Sequence, residues 1–239
     1  KTASDLSDVP VALHLDHGQD LKIIKQAIEL GYSSVMIDAS HEEFEKNVAI
    51  TRKVVELAHR KGISVEAELG TIGGVEDAVS SRHIIYTDPL KAAEFVQRTG
   101  CDFLAVAIGT SHGAYKFAGK AKLRVDIVKE IRRRVKIPLV LHGASGVPAS
   151  LVRMAEKYGA QLQGVEGVPD AQIKAAIKAG ICKINTDTDL RIAFDAAVRK
   201  VVMKSPANFD PRHILEPARE MIMQVAMQRI KLFGSGGKA

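Results

Sequence analysis

Apolar residues along this chain fall into short runs that alternate with longer stretches of helical spacing. The run at 11–17 has four apolar residues in its first five positions and ends in Asp16 and His17. This pattern predicts a buried strand that runs out into a polar end. Residues 20–30 then carry apolar side chains at helical spacing, and Gly31 follows as the glycine expected after a helix. The opening stretch therefore predicts one strand followed by one helix.

The same strand-then-helix unit recurs to the end of the chain. Further strands are predicted at 34–38, 64–69, 102–108, 138–141 and 181–184. Later helices are predicted at 88–98, 123–135, about 148–158, 170–179, about 189–204 and 213–232. Ser40 and Glu43 have the spacing of a capping box, which predicts a helix from there to about Arg60. Residues 70–86 are rich in glycine and are predicted to be a long irregular loop, which is usually functional or mobile.

Strands and helices alternate six times, and the strands are mostly apolar. This alternation indicates an α/β protein with a parallel sheet and right-handed crossovers. No Gly-x-Gly-x-x-Gly follows a predicted strand, which argues against an open dinucleotide-binding sheet. Polar residues instead collect at the carboxyl ends of the strands, as in a (β/α)8 TIM barrel. Six units cannot close a barrel of eight, so we expect residues 1–239 to be a single TIM-barrel domain that lacks its two N-terminal units.

The composition narrows the possible partners. The formal net charge is +6, but aromatic residues make up only 5% of the chain and Trp is absent. An anionic small substrate suits this charge as well as nucleic acid does, and we expect no nucleic-acid partner. No run of 18 apolar residues and no secretion signal are present, so we expect no membrane partner and a cytoplasmic location. Cys101 and Cys182 lie in apolar runs and are predicted to be reduced and buried.

Three histidines lie at predicted strand ends, and each is followed directly by glycine: His17, His112 and His142. Three imidazoles that leave one position open are typical of a catalytic zinc site. Any one of them taken alone is better explained as an ordinary polar strand end. Because all three fall at the same end of the sheet, we favour zinc. His14 lies inside its strand and is expected to pack or hydrogen-bond there.

Carboxylates accompany these histidines. Asp16 and His17 are adjacent, so a regular strand would point them to opposite faces, and both face the site only if the strand breaks at His17. Asp16 could then move a proton on a substrate hydroxyl, or it could orient His17. Asp38 and Glu68 also end strands and could hold a second cation or orient the histidines. Glu66 lies two residues before Glu68 and so points to the same face of the strand. One of the two could therefore be only a charge at the sheet end.

Two small, hydroxyl-rich turns follow the last two strands, Gly143-Ala144-Ser145 and Asn185-Thr186-Asp187-Thr188. The loops after strands seven and eight of a barrel often bind phosphate, and backbone N–H groups at a helix start favour an anion. Lys116 could add positive charge to the same anion. The alternative for the second turn is plain helix capping by Thr188 or Asp189.

These motifs together resemble the class II, metal-dependent fructose-bisphosphate aldolases, a family that includes the tagatose-bisphosphate aldolases. The matching segments are Leu-Asp-His-Gly at 15–18, Ser-Val-Met-Ile-Asp at 34–38, Glu-Ala-Glu-Leu-Gly at 66–70, Gly-Gly-Val-Glu-Asp at 73–77, Gly-Thr-Ser-His-Gly-Ala-Tyr-Lys at 109–116, Leu-His-Gly-Ala-Ser-Gly at 141–146 and Lys-Ile-Asn-Thr-Asp-Thr at 183–188. The likeness covers essentially the whole chain, but the family has two more β/α units before residue 10.

The resemblance implies a role for each matching residue. It implies catalytic zinc on His17, His112 and His142, with additional metal coordination at Asp38 and Glu68. Asp16 would act on the C4 oxygen of the substrate, and Glu76 would shuttle the proton of dihydroxyacetone phosphate. The substrate's phosphate and hydroxyls would be held by Gly113, Gly143, Ala144, Ser145, Asn185, Thr186, Asp187 and Thr188. A sodium or potassium ion would lie near Gly113 and Gly143, and Arg219 would reach the other phosphate from a neighbouring subunit.

The resemblance thus implies a zinc-dependent lyase of glycolysis and gluconeogenesis that cleaves fructose 1,6-bisphosphate, working as a homodimer or homotetramer. A tagatose 1,6-bisphosphate aldolase shares the mechanism and is the nearest alternative. A non-catalytic phosphosugar- or metal-binding relic is the alternative of a different class, suggested by the missing units.

Overall fold

The computed structural model describes residues 5–76, 79–81, 84–112, 122–162 and 165–238, without the side chains of 73–76, 79–81 and 112. Within these ranges the strands are β1 (His14–Gly18), β2 (Ser34–Ile37), β3 (Ser64–Leu69), β4 (Gly73–Glu76), β5 (Val79–Ser81), β6 (Phe103–Val106), β7 (Ser111–His112), β8 (Leu139–Leu141) and β9 (Ile181–Ile184). The helices are α1 (Leu21–Glu29), α2 (Phe44–His59), α3 (Pro89–Thr99), α4 (Val125–Arg134), α5 (Ala149–Lys157), α6 (Asp170–Ala179), α7 (Thr188–Lys204) and α8 (Pro211–Phe233).

Six strands form one parallel sheet whose spatial order, β1-β2-β3-β6-β8-β9, follows their order along the chain. A doubly wound sheet would reverse its order at a switch point, and this sheet does not. The arrangement is an α/β half-barrel, which agrees with six units of a (β/α)8 barrel. All six strands have their carboxyl ends at one edge, so residues that follow different strands meet there.

The two faces of the sheet are packed differently because side chains alternate along each strand. Val35 and Ile37 belong to the main apolar cluster between the strands and the helices, whereas Met36 between them joins Ala105 and Val140 in a small separate cluster. The fully buried Phe95 of α3 is part of the main cluster. The helix side of the sheet is therefore the larger core, and the other face carries fewer apolar residues.

The stretch predicted as an irregular loop at 70–86 contains two of the strands. β4 pairs antiparallel with β5 and parallel with β7, which places Gly73 opposite Ser111 in a second sheet of three strands. The prediction of an irregular segment was wrong here, because the glycine- and serine-rich composition has no apolar alternation. Its pairing with β7, far along the chain, is not visible in a local pattern.

Two smaller predictions also need correction. β1 begins at His14, not at residue 11, and Val11 and Leu13 before it are about half exposed because β1 is an edge strand. α2 begins after Glu43, and Ser40 does not cap it but hydrogen-bonds to Asp38 instead.

None of the helices in the described ranges combines the length and the apolar composition needed to cross a membrane.

The capping alternative for the turn after β9 and the predicted burial of Cys182 are also contradicted by the structure. Asp187 takes the N-cap position of α7, without a side-chain capping bond, so neither Thr188 nor Asp189 caps this helix. Cys182 is exposed, since it lies on the edge strand β9, whereas Cys101 is buried as predicted. Both thiols are free, in agreement with the prediction that they are reduced.

Candidate active site and metal centre

A cavity of about 330 Å³ opens at the carboxyl edge of the sheet, where β1, β8 and β9 end. It is lined by His14, Asp16, His142, Gly143, Ser145, Lys183, Ile184, Asn185, Thr186, Asp187 and Thr188. Eight of the predicted site residues thus line one cavity, although they come from three strand ends that are far apart in sequence.

The strand break predicted at His17 is present. His17 has φ of +44°, and the pairing of β1 with β2 shifts register between Leu15 and Gly18. Gly18 is needed at this point, because a Cβ on it would lie 2.5 Å from the carbonyl oxygen of Met36. The break brings Asp16 and His17 into the same cluster with His142.

His17 and His142 face each other at the centre of this cluster. Nδ1 of His142 lies 2.8 Å from Nε2 of His17, and the two rings are nearly perpendicular. The far nitrogen of each ring contacts a carboxylate: Nδ1 of His17 lies 3.0 Å from Asp38, and Nε2 of His142 lies 2.7 Å from Glu66. A carboxylate on the far nitrogen is the usual support of a metal-binding histidine, because it fixes both the tautomer and the ring orientation.

The charges of these supporting groups are well defined. Burial alone would raise the pKa of Glu66, but hydrogen bonds from His142 and Lys183 and the positive charge of Lys183 outweigh it and hold that pKa at about 2. Lys183 contributes through its Nζ, 2.7 Å from the Glu66 carboxylate. Burial likewise opposes the ionisation of Asp38, yet hydrogen bonds from His17 and Ser40 keep its pKa at about 2. Burial lowers the pKa of His142 below its usual value, which favours the neutral imidazole, the form that binds metals.

A second cluster suited to a cation shares His17. One ligand atom each from His17, Asp38 and Glu68 lie within 4.8 Å of one another. Burial raises the pKa of Glu68 well above its usual value, and the neighbouring Asp38 and Glu66 add to this. Within the described part of the chain, Oε2 of Glu68 has no hydrogen-bond partner. A buried carboxylate oxygen without a hydrogen-bond partner lies here beside ligand atoms of His17 and Asp38. This arrangement fits a divalent cation, which would supply the missing partner.

Asp16 lies at the mouth of the cluster. Both of its carboxylate oxygens accept hydrogen bonds of 3.1 Å from the side-chain amide of Asn185, and the side chain is about half exposed. Asn185 follows β9 at the opposite edge of the sheet, so this contact spans the two edge strands. A carboxylate held in this way and open to the cavity can take up or release a proton.

The two small turns form the remaining wall of the cavity. Gly143 has φ of +60°, and a Cβ on it would lie 2.7 Å from the carbonyl oxygen of Ser111, so only glycine fits. The backbone N–H of Asp187 donates to Oγ of Ser145 at 3.3 Å and links the turns. Oγ1 of Thr186 is buried and has no hydrogen-bond partner among the described residues. These small polar groups at the start of α7 suit an anionic ligand.

Comparison with known proteins decides the family. The family model for "Fructose-bisphosphate aldolase class-II" matches residues 1–238. This chain belongs to the class II fructose-bisphosphate aldolase family. The resemblance drawn from the motifs is thereby confirmed.

Individual members of the family are also similar to the chain. It is 51% identical to a fructose-bisphosphate aldolase of Giardia intestinalis, over 97% of this chain and 72% of the relative. It is 50% identical to a fructose-bisphosphate aldolase of Thermus caldophilus, over 97% of this chain and 76% of the relative. The crystal structure of the YdjI aldolase from Escherichia coli K12 superposes with a TM-score of 0.79 at 39% identity, covering 100% of this chain and 75% of that one.

Several residues to which the family resemblance gives roles cannot be located in the site. Gly113 and Lys116 lie outside the described residues, as do the side chains of Glu76 and His112, although the backbones of these last two end β4 and β7. Arg219 is exposed on α8 and does not line the cavity. Asp38 and Glu68 lie beside His17, and Ala144 is buried next to Gly143.

The sequence interpretation missed Glu66 and Lys183 as working parts of the site. Glu66 is fully buried and bridges His142 and Lys183, so it is not a charge at the sheet end. A signal was present, since Lys183 interrupts the apolar strand β9 and a charge in such a strand needs a partner. His14 also contributes more than its prediction stated: it hydrogen-bonds to Ser34 as expected, and it lines the cavity.

Proposed function

We propose that this protein is a zinc-dependent aldolase that reversibly cleaves fructose 1,6-bisphosphate into dihydroxyacetone phosphate and glyceraldehyde 3-phosphate. One observation carries the proposal: a half-exposed carboxylate, Asp16, has an oxygen within 4.8 Å of ring nitrogens of two histidines whose far nitrogens are held by carboxylates. Membership of the class II family supports the same reaction.

The residues of the chain divide the work between metal binding and proton transfer. His17 and His142, joined by His112, would hold the catalytic zinc, since three imidazoles that leave one position open are typical of a catalytic zinc site. When bound, zinc would polarise the C2 carbonyl of the sugar and stabilise negative charge on its oxygen. Asp38 and Glu68, with His17, would hold a second divalent ion. A sodium or potassium ion near Gly113 and Gly143 completes the proposed set of cations.

In the cleavage direction Asp16 accepts the proton of the C4 hydroxyl. The C4–O bond becomes a carbonyl, the C3–C4 bond breaks, and its electron pair moves onto the C2–C3 unit. Glyceraldehyde 3-phosphate leaves, and C3 then receives a proton, for which we propose Glu76 as the donor. Asn185 donates to both oxygens of Asp16 and so orients the carboxylate that starts the reaction.

The phosphate of the dihydroxyacetone half would be received by the two turns of the cavity wall. We assign this role to Gly143, Ala144, Ser145, Asn185, Thr186, Asp187 and Thr188, with Gly113 and Lys116 from the segment before α4. The unpartnered hydroxyl of Thr186 and the start of α7 support an anion in this place. Arg219 would serve the second phosphate in a neighbouring subunit of a homodimer or homotetramer.

We treat residues 1–239 as one aldolase-type domain. The reaction proposed for it is a step of glycolysis and gluconeogenesis, and a cytoplasmic location is assigned on that ground alone.

The proposal is tested by assaying the purified full-length protein on fructose 1,6-bisphosphate and tagatose 1,6-bisphosphate. We expect cleavage of the fructose substrate that is lost on chelation and returns with zinc. Asp16→Asn should lower kcat by about 100-fold or more, because it removes the proton acceptor, while Asp126→Asn on the surface of α4 should not. Preferential cleavage of the tagatose substrate would transfer the assignment to the nearest alternative. Zinc and phosphosugar binding without cleavage would indicate a relic, and full activity after exhaustive chelation would refute the zinc site.

A further inference from the structure

The loop between β8 and α5 is held in an unusual backbone conformation. It contains Gly143 and Ser145, which face the cavity, and it ends at Val147, which has φ of +45°. A β-branched residue rarely adopts a positive φ, because its Cβ crowds the backbone, and such strain persists only where the surroundings enforce it. The contacts that enforce it come from residues that do not line the cavity.

Asp189 of α7 supplies the first of these contacts. Its side chain is completely buried, and its two oxygens accept hydrogen bonds from the backbone N–H groups of Gly146, at 3.1 Å, and Val147, at 2.6 Å. One carboxylate thus holds both N–H groups at the strained end of the loop. A buried carboxylate with only neutral donors is costly, so a positive charge is expected beside it.

Arg229 of α8 supplies that charge. Its Nε lies 2.8 Å from Asp189, and its Nη1 donates to Asp170 of α6 at 3.1 Å. The side chain is only 12% exposed. The guanidinium also packs on the loop itself, since a Cβ on Gly146 would lie 2.5 Å from Nη2 of Arg229.

The chain before α6 also packs against the loop. The backbone N–H of Val168 donates to the carbonyl of Ser145 at 3.0 Å, and a Cβ on Gly167 would lie 2.2 Å from the carbonyl carbon of Gly146. Residues 167–168 and Arg229 therefore both hold the loop in place. Loosening either side would let Gly143 and Ser145 move relative to the cavity.

We infer that Arg229 is a positioning residue that acts through Asp189 to hold the loop from Gly143 to Val147 in the shape that receives a phosphate group. The inference rests on the proposed function in one respect, namely that the anion in this cavity is a phosphate. Arg229 does not line the cavity and acts only through the loop, so removing it should weaken phosphate binding more than it slows the chemical step.

The test compares Arg229→Gln with Arg229→Lys and with Arg199→Gln in the full-length protein. Arg199 is the matched control, because it forms a half-exposed ion pair with Asp195 on α7, away from the loop. For Arg229→Gln we expect the dissociation constant for inorganic phosphate, measured by calorimetry, to rise about tenfold. The amide protons of Gly146 and Val147 should exchange faster, and KM should rise more than kcat falls. Arg229→Lys should restore part of the phosphate affinity, and Arg199→Gln should match the unchanged protein.

Thermal unfolding first establishes that each variant is folded. A folded Arg229→Gln with unchanged phosphate affinity overturns the inference, and so does an unchanged protein that binds no phosphate. If Arg229→Gln does not fold, Arg229→Lys must by itself show weaker phosphate binding and faster exchange, or the inference fails. A protein that binds phosphate, shows the loop response and cleaves no sugar bisphosphate refutes the proposed function and leaves the role of Arg229 standing.

Discussion

Nδ1 of His142 lies 2.8 Å from Nε2 of His17, although 124 residues separate the two histidines in the chain. Each ring is turned to this position by a carboxylate on its far nitrogen, Glu66 for His142 and Asp38 for His17. Two imidazole nitrogens that face each other in this way are well suited to bind one metal ion. The two residues therefore form the part of the candidate zinc centre that the structure describes.

Replacing His142 by Ala should remove tight zinc binding. We expect the full-length protein to retain zinc after dialysis and to melt at a higher temperature with zinc than without it, because the metal binds the folded state. His142→Ala should show neither the retained zinc nor the rise in Tm. His41→Ala, a largely exposed histidine, is the control. Equal zinc content in both variants would contradict the assignment of His142.

Glu66→Gln tests the support of the same ligand. The change keeps the size of the side chain but removes the charge that fixes His142, and the loss of such a supporting group typically costs 10- to 100-fold in metal affinity. We therefore expect zinc affinity to fall by about 10- to 100-fold, measured by competition with a chelating dye. Glu56→Gln on the exposed face of α2 should leave the affinity unchanged. Unchanged affinity in Glu66→Gln would mean that the orientation of His142 does not depend on this carboxylate.

Glu68→Gln should stabilise the metal-free protein at alkaline pH. Burial, with Asp38 and Glu66 nearby, raises the pKa of Glu68 well above the usual value, so the folded state binds a proton that the unfolded state releases. Stability from this group is therefore present at low pH and is lost as pH rises above the unfolded pKa. With chelator present at pH 8, we expect Tm to rise by about 3 °C in Glu68→Gln, and the gain should shrink at pH 5. A gain that is larger at pH 5 would contradict the assigned shift.

The local pattern of the chain was enough to predict the main sheet but not every contact in the site. The apolar runs and the glycines that end the helices predicted all six parallel strands. The adjacent Asp16 and His17 predicted the strand break. Both predictions depend only on residues that are neighbours in sequence. The hairpin of β4 and β5 was missed because it pairs with β7 through residues without a periodic pattern. Asp189 was interpreted as a possible cap, whereas it binds the loop after β8, a contact that only the packing of α7 and α8 creates.

Cys101 should be inert to thiol reagents in the folded protein. Burial raises the pKa of its thiol to about 11, so at pH 8 only about one thiol in a thousand is the reactive thiolate. N-ethylmaleimide at pH 8 should leave Cys101 unmodified in the native protein and should modify it after denaturation, as read by peptide mass analysis. Cys182, which is exposed on the edge strand β9, is the internal comparison and should react faster. Rapid native labelling of Cys101 would show that the core between α3 and β6 opens far more readily than its packing indicates.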